Sequence, residues 1–242
     1  MIDHIYKYPR LYLNAPFAKN AKISLREEHI HYLRNVLRKG NGDELRLFNG
    51  VDGEWLGALD DLGKKKGSVV LGECFKEQPT SGAELHLFFS PIKKQRMDFL
   101  IEKAVELGVS GLHPVLMNRT ESRKVNENRI HMQIIEAAEQ CERMDVPVLY
   151  PMQLLSDILV SEYDYPIYAC VERNEASCVM AQNSYNKGAG FIIGPEGGFD
   201  PQECMMIEQS KYVRSLYLGD TILRAETAAL TCLSYAKLST IT

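Results

Sequence analysis

The stretch "GFIIGPEGGFDPQE", residues 190–203, decides how the C-terminal part of this chain is read. Gly190–Ile193 is an apolar run that reads as a buried strand. Asp200, Pro201 and Glu203 have the types and spacing of an N-cap, a first-turn proline and the partner of a capping box, so a helix starts there. Between the two lies a glycine-rich turn, Gly194 to Phe199. A loop leaving the C-terminal end of a strand for a helix is where open α/β sheets bind ligands. The turn matches neither GxxxxGK[ST] nor GxGxxG, and Glu196 in its middle repels a phosphate. A cationic or neutral polar ligand fits better, and a tight turn without a ligand stays open.

Outward from this turn, strands and helices alternate. "LHLFFSP" (85–91), "GLHPVLM" (111–117), "PIYACVE" (166–172) and "VRSLYLG" (213–219) read as strands. "KKQRMDFLIEKAVELG" (93–108), "ENRIHMQIIEAAEQC" (127–141) and "ILRAETAALTCLSYAKL" (222–238) read as helices. That alternation predicts a parallel α/β sheet. Residues 10–75 differ: short strands joined by Gly/Asp turns surround one helix, "REEHIHYLRNVLRKGNG" (26–42), with Ile30, Leu33, Val36 and Leu37 on its apolar stripe. This is a small barrel-like module. "KEQPTSGAE" (76–84) reads as the linker, so the expected domains are 1–76 and 77–242.

A second loop resembles the first in kind. In "LYLGDTILRAETAAL" (216–230) a strand again ends at a glycine and a short loop leads into a helix. Arg224 stands near that helix start, where the dipole disfavours a cation. It pairs with Glu226 or Glu196, or it serves a function. Ile222 and Leu223 suit an apolar slot.

Of 242 residues, 45% are hydrophobic and 25% charged, a globular composition, and the net charge of −4 gives no reason by itself to expect nucleic acid. The distribution says more: residues 1–125 carry 20 Lys/Arg against 16 Asp/Glu, and the remainder 8 against 16. A polyanion along the first half is compatible with that, as are two solvated faces. Six scattered cysteines form no CxxC pair or metal spacing and are expected to be reduced thiols, which points to the cytoplasm. No signal peptide or membrane-spanning run is visible, and no metal is expected. His29, His31 and His113 show no catalytic partner pattern and are expected to be structural.

"GPEGGF" and "LGDTILRAETAAL", one strand–helix unit apart, together resemble the bacterial ribosomal RNA small subunit methyltransferase E family. "HYLRNVLRKGNGDELRLFNG", "KKQRMDFLIEKAVELGV", "NRTESR" and "EAAEQCERMDVPVL" extend the resemblance over nearly the whole chain, residues 152–187 being least characteristic. It implies an N-terminal PUA-like β-barrel and a C-terminal SPOUT α/β domain with a trefoil knot, a rare exception to unknotted topology. It implies S-adenosylmethionine-dependent methylation of N3 of a uridine in 16S rRNA of the small ribosomal subunit, by a homodimer. On this reading Ile193, Gly194, Pro195, Glu196, Gly197, Gly198, Leu218, Gly219, Ile222, Leu223, Thr227 and Ala228 hold the cofactor. Glu196 answers its ribose or its positive charge. Gly197 is where a branched side chain would fill the approach space. Arg224 is the catalytic electrostatic group, oriented by Glu226.

Arg10, Arg34, Arg38, Lys94, Arg96, Lys103, Arg119, Arg123, Lys124 and Arg143 are the expected RNA contacts, with Glu139 beside Arg143. Family members often carry a small residue where this chain has Glu142. Three rival readings remain: a SPOUT methyltransferase for another RNA, an inactive RNA-binding or assembly module, and a nucleotide-binding protein.

Overall fold

The computed structural model describes residues 2–80, 82–172, 178–180 and 185–240; the expected linker includes residue 81, outside the described residues. The chain divides into two compact units, Met1–Thr80 with Ala138–Val146, and Ser81–Ala137 with Pro147–Thr242.

The first unit is a five-stranded sheet of β1 (Arg10–Tyr12), β2 (Lys22–Ser24), β3 (Glu44–Phe48), β4 (Glu54–Asp60) and β5 (Ser68–Lys76), in the order β1-β3-β4-β5-β2. Only β1 and β3 pair parallel. Leu33, Leu45, Leu47 and Val69 are fully buried at its centre. Helix α1 (Glu27–His31) is short because a π turn takes over at Tyr32–Val36, where the Leu37 N–H reaches back five residues to the Tyr32 carbonyl. The extra residue rotates the stripe. Ile30 and Leu33 point inward as expected, whereas Val36 is 59% exposed.

The second unit carries β6 (Leu85–Phe89), α2 (Lys94–Glu106), β7 (Val109–Leu116), α3 (Glu127–Gln140, its last three residues counted with the first unit) and β8 (Val148–Leu149). β9 (Gln153–Leu154), α4 (Leu155–Val160), β10 (Ile167–Cys170), β11 (Cys178–Val179), β12 (Ala189–Ile193), α5 (Pro201–Gln209), β13 (Val213–Tyr217) and α6 (Ala225–Thr240) follow. All its strand pairs are parallel, in the order β11-β13-β10-β12-β6-β7-β8, with β9 on β7. This is the expected α/β class, with an all-parallel sheet. β12, the opening stretch, lies between β10 and β6 and is buried at every position, as a central parallel strand covered on both faces must be.

β6 and β7 also bury a histidine pair: His86 Nδ1 and His113 Nε2 are 3.0 Å apart. Tyr165 stacks on His86 at 4.3 Å, and Tyr150 and Phe88 on His113 at 4.0 and 4.1 Å. A Cβ on Gly111 would lie 2.4 Å from His86 Nδ1, so only glycine lets the rings sit there. Burial, then the neighbouring His86, pushes the His113 pKa down to about 3. His86 is lowered chiefly by burial, against the opposing pull of Glu84. His113 is structural, as expected. All six cysteines are free thiols, with Cys74 exposed. Among the described residues no helix is long and apolar enough to cross a membrane, and no His/Cys/Asp/Glu cluster could hold a metal.

Candidate functional site

The loops after β12 and β13 leave the same edge of the parallel sheet, because parallel strands end together. With the end of β10 they enclose a cavity of about 1030 Å³. Ile193, Gly194, Pro195, Glu196, Gly197, Gly198, Leu218, Gly219, Ile222, Leu223 and Ala228 all line it, as does Arg224. Thr227 does not. One helical step of 100° turns it to solvent, with Thr231 one turn on, while Ala228 faces inward. Sequence reasoning missed Cys170, Val171 and Glu172 at the end of β10, together with Val179, Phe199 and Tyr217. The signal available was the strand "PIYACVE" ending at the same edge.

Local chemistry shapes the first loop. The Gly198 N–H donates to the Pro195 carbonyl at 2.8 Å, closing a turn, and Gly198 has φ +68°. Gly219 has φ +115°. Side-chain-bearing residues rarely adopt either conformation. At both positions a Cβ would meet nothing within 4 Å, so the backbone borders open space. Gly197 behaves differently from its expected role: its missing Cβ faces the Arg119 side chain at 3.5 Å.

The predicted capping box forms. Asp200 accepts from the Gln202 and Glu203 N–H groups at 2.8 Å, and Glu203 Oε2 accepts from the Asp200 N–H at 2.9 Å. Glu203 does a second job through Oε1, which accepts the Asn118 N–H at 2.7 Å. The Asn118 side chain also binds Asp200. Next to it, Arg119 Nη1 donates to the carbonyls of Gly197 (2.8 Å) and Phe199 (3.2 Å). Arg119, expected on RNA, therefore braces the glycine loop.

Arg96 is likewise committed. Its Nη1 donates to Glu196 Oε1 at 2.8 Å, and its Nε lies 3.8 Å from Glu226 Oε1. Glu226 thus faces Arg96, not Arg224 as expected. It is an interior side chain, 12% exposed, whose Oε2 has no partner. Arg224 is exposed at the mouth of the cavity and makes no ion pair among the described residues. Its carbonyl accepts the Ala228 N–H and starts α6. Lys103 is held by Glu102 and Glu106.

Two expected RNA contacts are structural groups of the first unit. Arg10 is 7% exposed. It binds Glu54 Oε1 (2.8 Å) and the carbonyls of Ala138 (2.8 Å) and Arg143 (2.7 Å), with its guanidinium 3.7 Å above the Phe48 ring. The Arg143 side chain is 10% exposed and bound to Asp145. Glu139 accepts the Tyr12 N–H at 2.8 Å. Glu142 has φ +59°, a left-handed backbone, and its carboxylate accepts from Arg46 at 2.6 Å. Arg34, Arg38, Lys94, Arg123 and Lys124 are exposed.

A family model described as an RNA methyltransferase domain matches residues 79–237, and one described as an RNA methyltransferase PUA domain matches residues 25–72. The chain is 37% identical over 235 residues to ribosomal RNA small subunit methyltransferase E of Rickettsia conorii, covering 96% of each. The Neisseria gonorrhoeae ribosomal RNA small subunit methyltransferase E, solved bound to S-adenosyl methionine, superposes with a TM-score of 0.84 at 27% identity. That match covers 96% of this chain and 97% of the other. A Legionella pneumophila protein solved with bound SAM gives a TM-score of 0.85 at 27% identity, over 96% and 98%.

Proposed function

The chain belongs to the ribosomal RNA small subunit methyltransferase E family, and from that premise we propose that it methylates N3 of one uridine in 16S rRNA, using S-adenosylmethionine. The observation that carries this reading is the cavity of about 1030 Å³ bounded by two loops in which Gly198 and Gly219 leave backbone facing open space. Its lining suits this ligand: backbone N–H and C=O groups for an adenine edge and a ribose, Ile222 and Leu223 for the faces of a ring, and no Walker lysine. When bound, S-adenosylmethionine supplies a methyl group on a cationic sulfur.

The residues of this chain then have separate tasks. Gly194, Gly197 and Gly198 of one loop and Leu218 and Gly219 of the other hold the cofactor. Arg224, a cation at the mouth with no ion pair among the described residues, stabilises the charge that develops on the uracil imide. Uridine N3 is masked in a duplex, so the target must be unpaired or flipped out. The exposed Arg34 and Arg38 of the PUA unit, and Lys94, Arg123 and Lys124 of the catalytic unit, contact RNA phosphates. The enzyme works in the cytoplasm on the small subunit. Exposed Ile222, Tyr235 and Leu238 support a homodimer, and β10 lying between β13 and β12 supports a knotted C-terminal segment.

The test is direct. Small subunits from a strain lacking the gene should gain 3-methyluridine at one 16S position on incubation with the protein and S-adenosylmethionine, read by nucleoside mass spectrometry. Calorimetry should show S-adenosylhomocysteine binding. Absence of binding at high micromolar ligand would overturn the enzyme reading, and methylation of another RNA alone would overturn the substrate.

A further inference from the structure

A second cavity shares a wall with the first. It measures about 340 Å³ and lies among Pro91–Lys93 before α2, Lys94 at its start, the segment after β7, and the glycine loop. Arg119, Pro195 and Glu196 line both cavities. The smaller volume suits one nucleobase with its sugar. Its floor is apolar, with Pro91 and Ile92 buried, and its rim carries the exposed cations Lys93 and Lys94. Flat apolar surface inside and positive charge outside is what a flipped-out base and its phosphates require.

Resting on the N3-methylation reading above, we propose that this smaller cavity receives the target uracil and that Glu196, in the shared wall, accepts its imide proton. The two oxygens of Glu196 are differently placed. Oε1 is fixed by Arg96 at 2.8 Å, while Lys93 Nζ lies 3.9 Å from Oε2, beyond hydrogen-bond range. One oxygen is therefore anchored and the other available. Glu196 stands at an exposed position of the loop with its side chain 22% exposed, so the carboxylate borders both the cavity and its solvent-open mouth. Arg96, itself facing Glu226 Oε1 at 3.8 Å, is the positioning residue.

The other charged groups lining the two cavities are Arg119 and Glu121 on the segment after β7, and Glu172, Asp220 and Arg224 on the larger cavity. The step balances. The N3–H bond breaks, its proton going to Glu196 and then to water. Its electron pair forms the new N3–methyl bond as the methyl–sulfur bond breaks, that pair remaining on a neutral sulfur. The same carboxylate gives selectivity: uracil N3 presents a donor, whereas cytosine N3 presents a lone pair that a carboxylate repels.

The experiment compares wild type with Glu196→Gln at saturating S-adenosylmethionine, on unmethylated small subunits, from pH 6.5 to 9.5. S-adenosylhomocysteine affinity is measured by calorimetry alongside. The expected variant binds S-adenosylhomocysteine within about threefold of wild type and turns over at least about a hundredfold more slowly at pH 7. Its rate climbs about tenfold per pH unit as prior ionisation of the imide replaces the missing base, while wild type stays level. An unchanged rate, or a slow rate with the wild-type pH profile, overturns the proton-acceptor role. Loss of S-adenosylhomocysteine affinity with turnover retained makes Glu196 a cofactor ligand instead.

Ser122→Trp, at the exposed rim, should block turnover and leave S-adenosylhomocysteine binding intact; normal turnover in it removes the uracil from this cavity. A wild-type protein that binds S-adenosylhomocysteine but forms no 3-methyluridine overturns the proposed function, and this inference falls with it.

Discussion

The backbone N–H of Asn118 donates to Glu203 Oε1 at 2.7 Å, across 85 positions of sequence, while the other oxygen of the same carboxylate caps α5 through the Asp200 N–H. One buried side chain, 4% exposed, thereby ties the segment after β7 to the end of the glycine loop. Glu203→Ala leaves two N–H groups without partners and should lower stability by about 2 kcal/mol. It should also weaken S-adenosylhomocysteine binding, because Arg119, next to Asn118, braces the loop at Gly197 and Phe199. Thermal unfolding and calorimetry read the two effects. A destabilised variant with wild-type affinity would show that the brace does not shape the cofactor cavity.

Arg10 and Arg34 should separate cleanly. Arg10 is buried against Glu54 and two carbonyls, so Arg10→Ala leaves a carboxylate that is 1% exposed with Arg46 Nη1 at 3.6 Å as its remaining cation and should cost about 3 kcal/mol. Arg34→Ala, at an exposed position, should leave the melting temperature unchanged and reduce RNA affinity. Its salt dependence should become shallower by about one phosphate contact. Equal effects of the two substitutions on RNA affinity, with equal stability, would contradict this division.

Position decides among the glycines. Gly198→Val and Gly219→Val force branched residues into left-handed backbone, at φ +68° and +115°, and place side chains in open space at the cavity wall. Both should abolish S-adenosylhomocysteine binding. Gly197→Ala meets only the Arg119 side chain at ordinary contact distance and should keep most of it. Titrations of the three variants, with unfolding curves as controls, decide the matter.

The histidine pair makes the catalytic unit acid-sensitive. His113, its pKa lowered to about 3 by burial and then by His86, is neutral in the folded protein, whereas in the unfolded chain it titrates near its ordinary value of 6.5. Folding therefore loses nothing to this group above pH 6.5 and becomes progressively less favourable as pH falls below it. The loss reaches about 2 kcal/mol by pH 5. His86, shifted in the same direction, adds to it. The melting temperature should fall between pH 7 and pH 5, and more shallowly in His113→Phe. An identical slope in that variant would acquit the pair.

Much of this was legible because the deciding signals are local. The apolar run of β12, the Asp200–Glu203 cap and the paired glycine loops are each written within a few residues. What was not legible depends on partners far away in sequence. Arg10 looks like any surface arginine until Glu54 and Ala138, 44 and 128 positions on, close around it. Arg96 meets Glu196 across 100 positions, which turned an expected RNA contact into part of the active-site wall. The strand order that brings β10 beside β12 and β13 is set by packing of the whole sheet, so "PIYACVE" could be read as a strand but not as one that ends at the cavity. Val36 left its predicted stripe through a single π turn, which periodicity alone does not register.

Arg224 is the sharpest test of the chemistry. It stands immediately before α6, exposed at the cavity mouth, with its nearest acid in sequence, Glu226, turned toward Arg96. A cation at a helix start is held there against the dipole, and no ion pair among the described residues compensates it. Removing the side chain therefore should not harm folding and should relieve a mild repulsion. Arg224→Ala is expected to keep or slightly raise the melting temperature and to bind S-adenosylhomocysteine with near wild-type affinity. It should lose about two to three orders of magnitude in kcat, the scale for deleting one preorganised charge that stabilises a developing anion. Arg224→Lys, a point charge without the planar fork, should recover part of that loss. Single-turnover methylation of small subunits separates these outcomes from a binding effect. If Arg224→Ala turns over normally while its RNA affinity drops, the residue holds substrate and does not stabilise the anion.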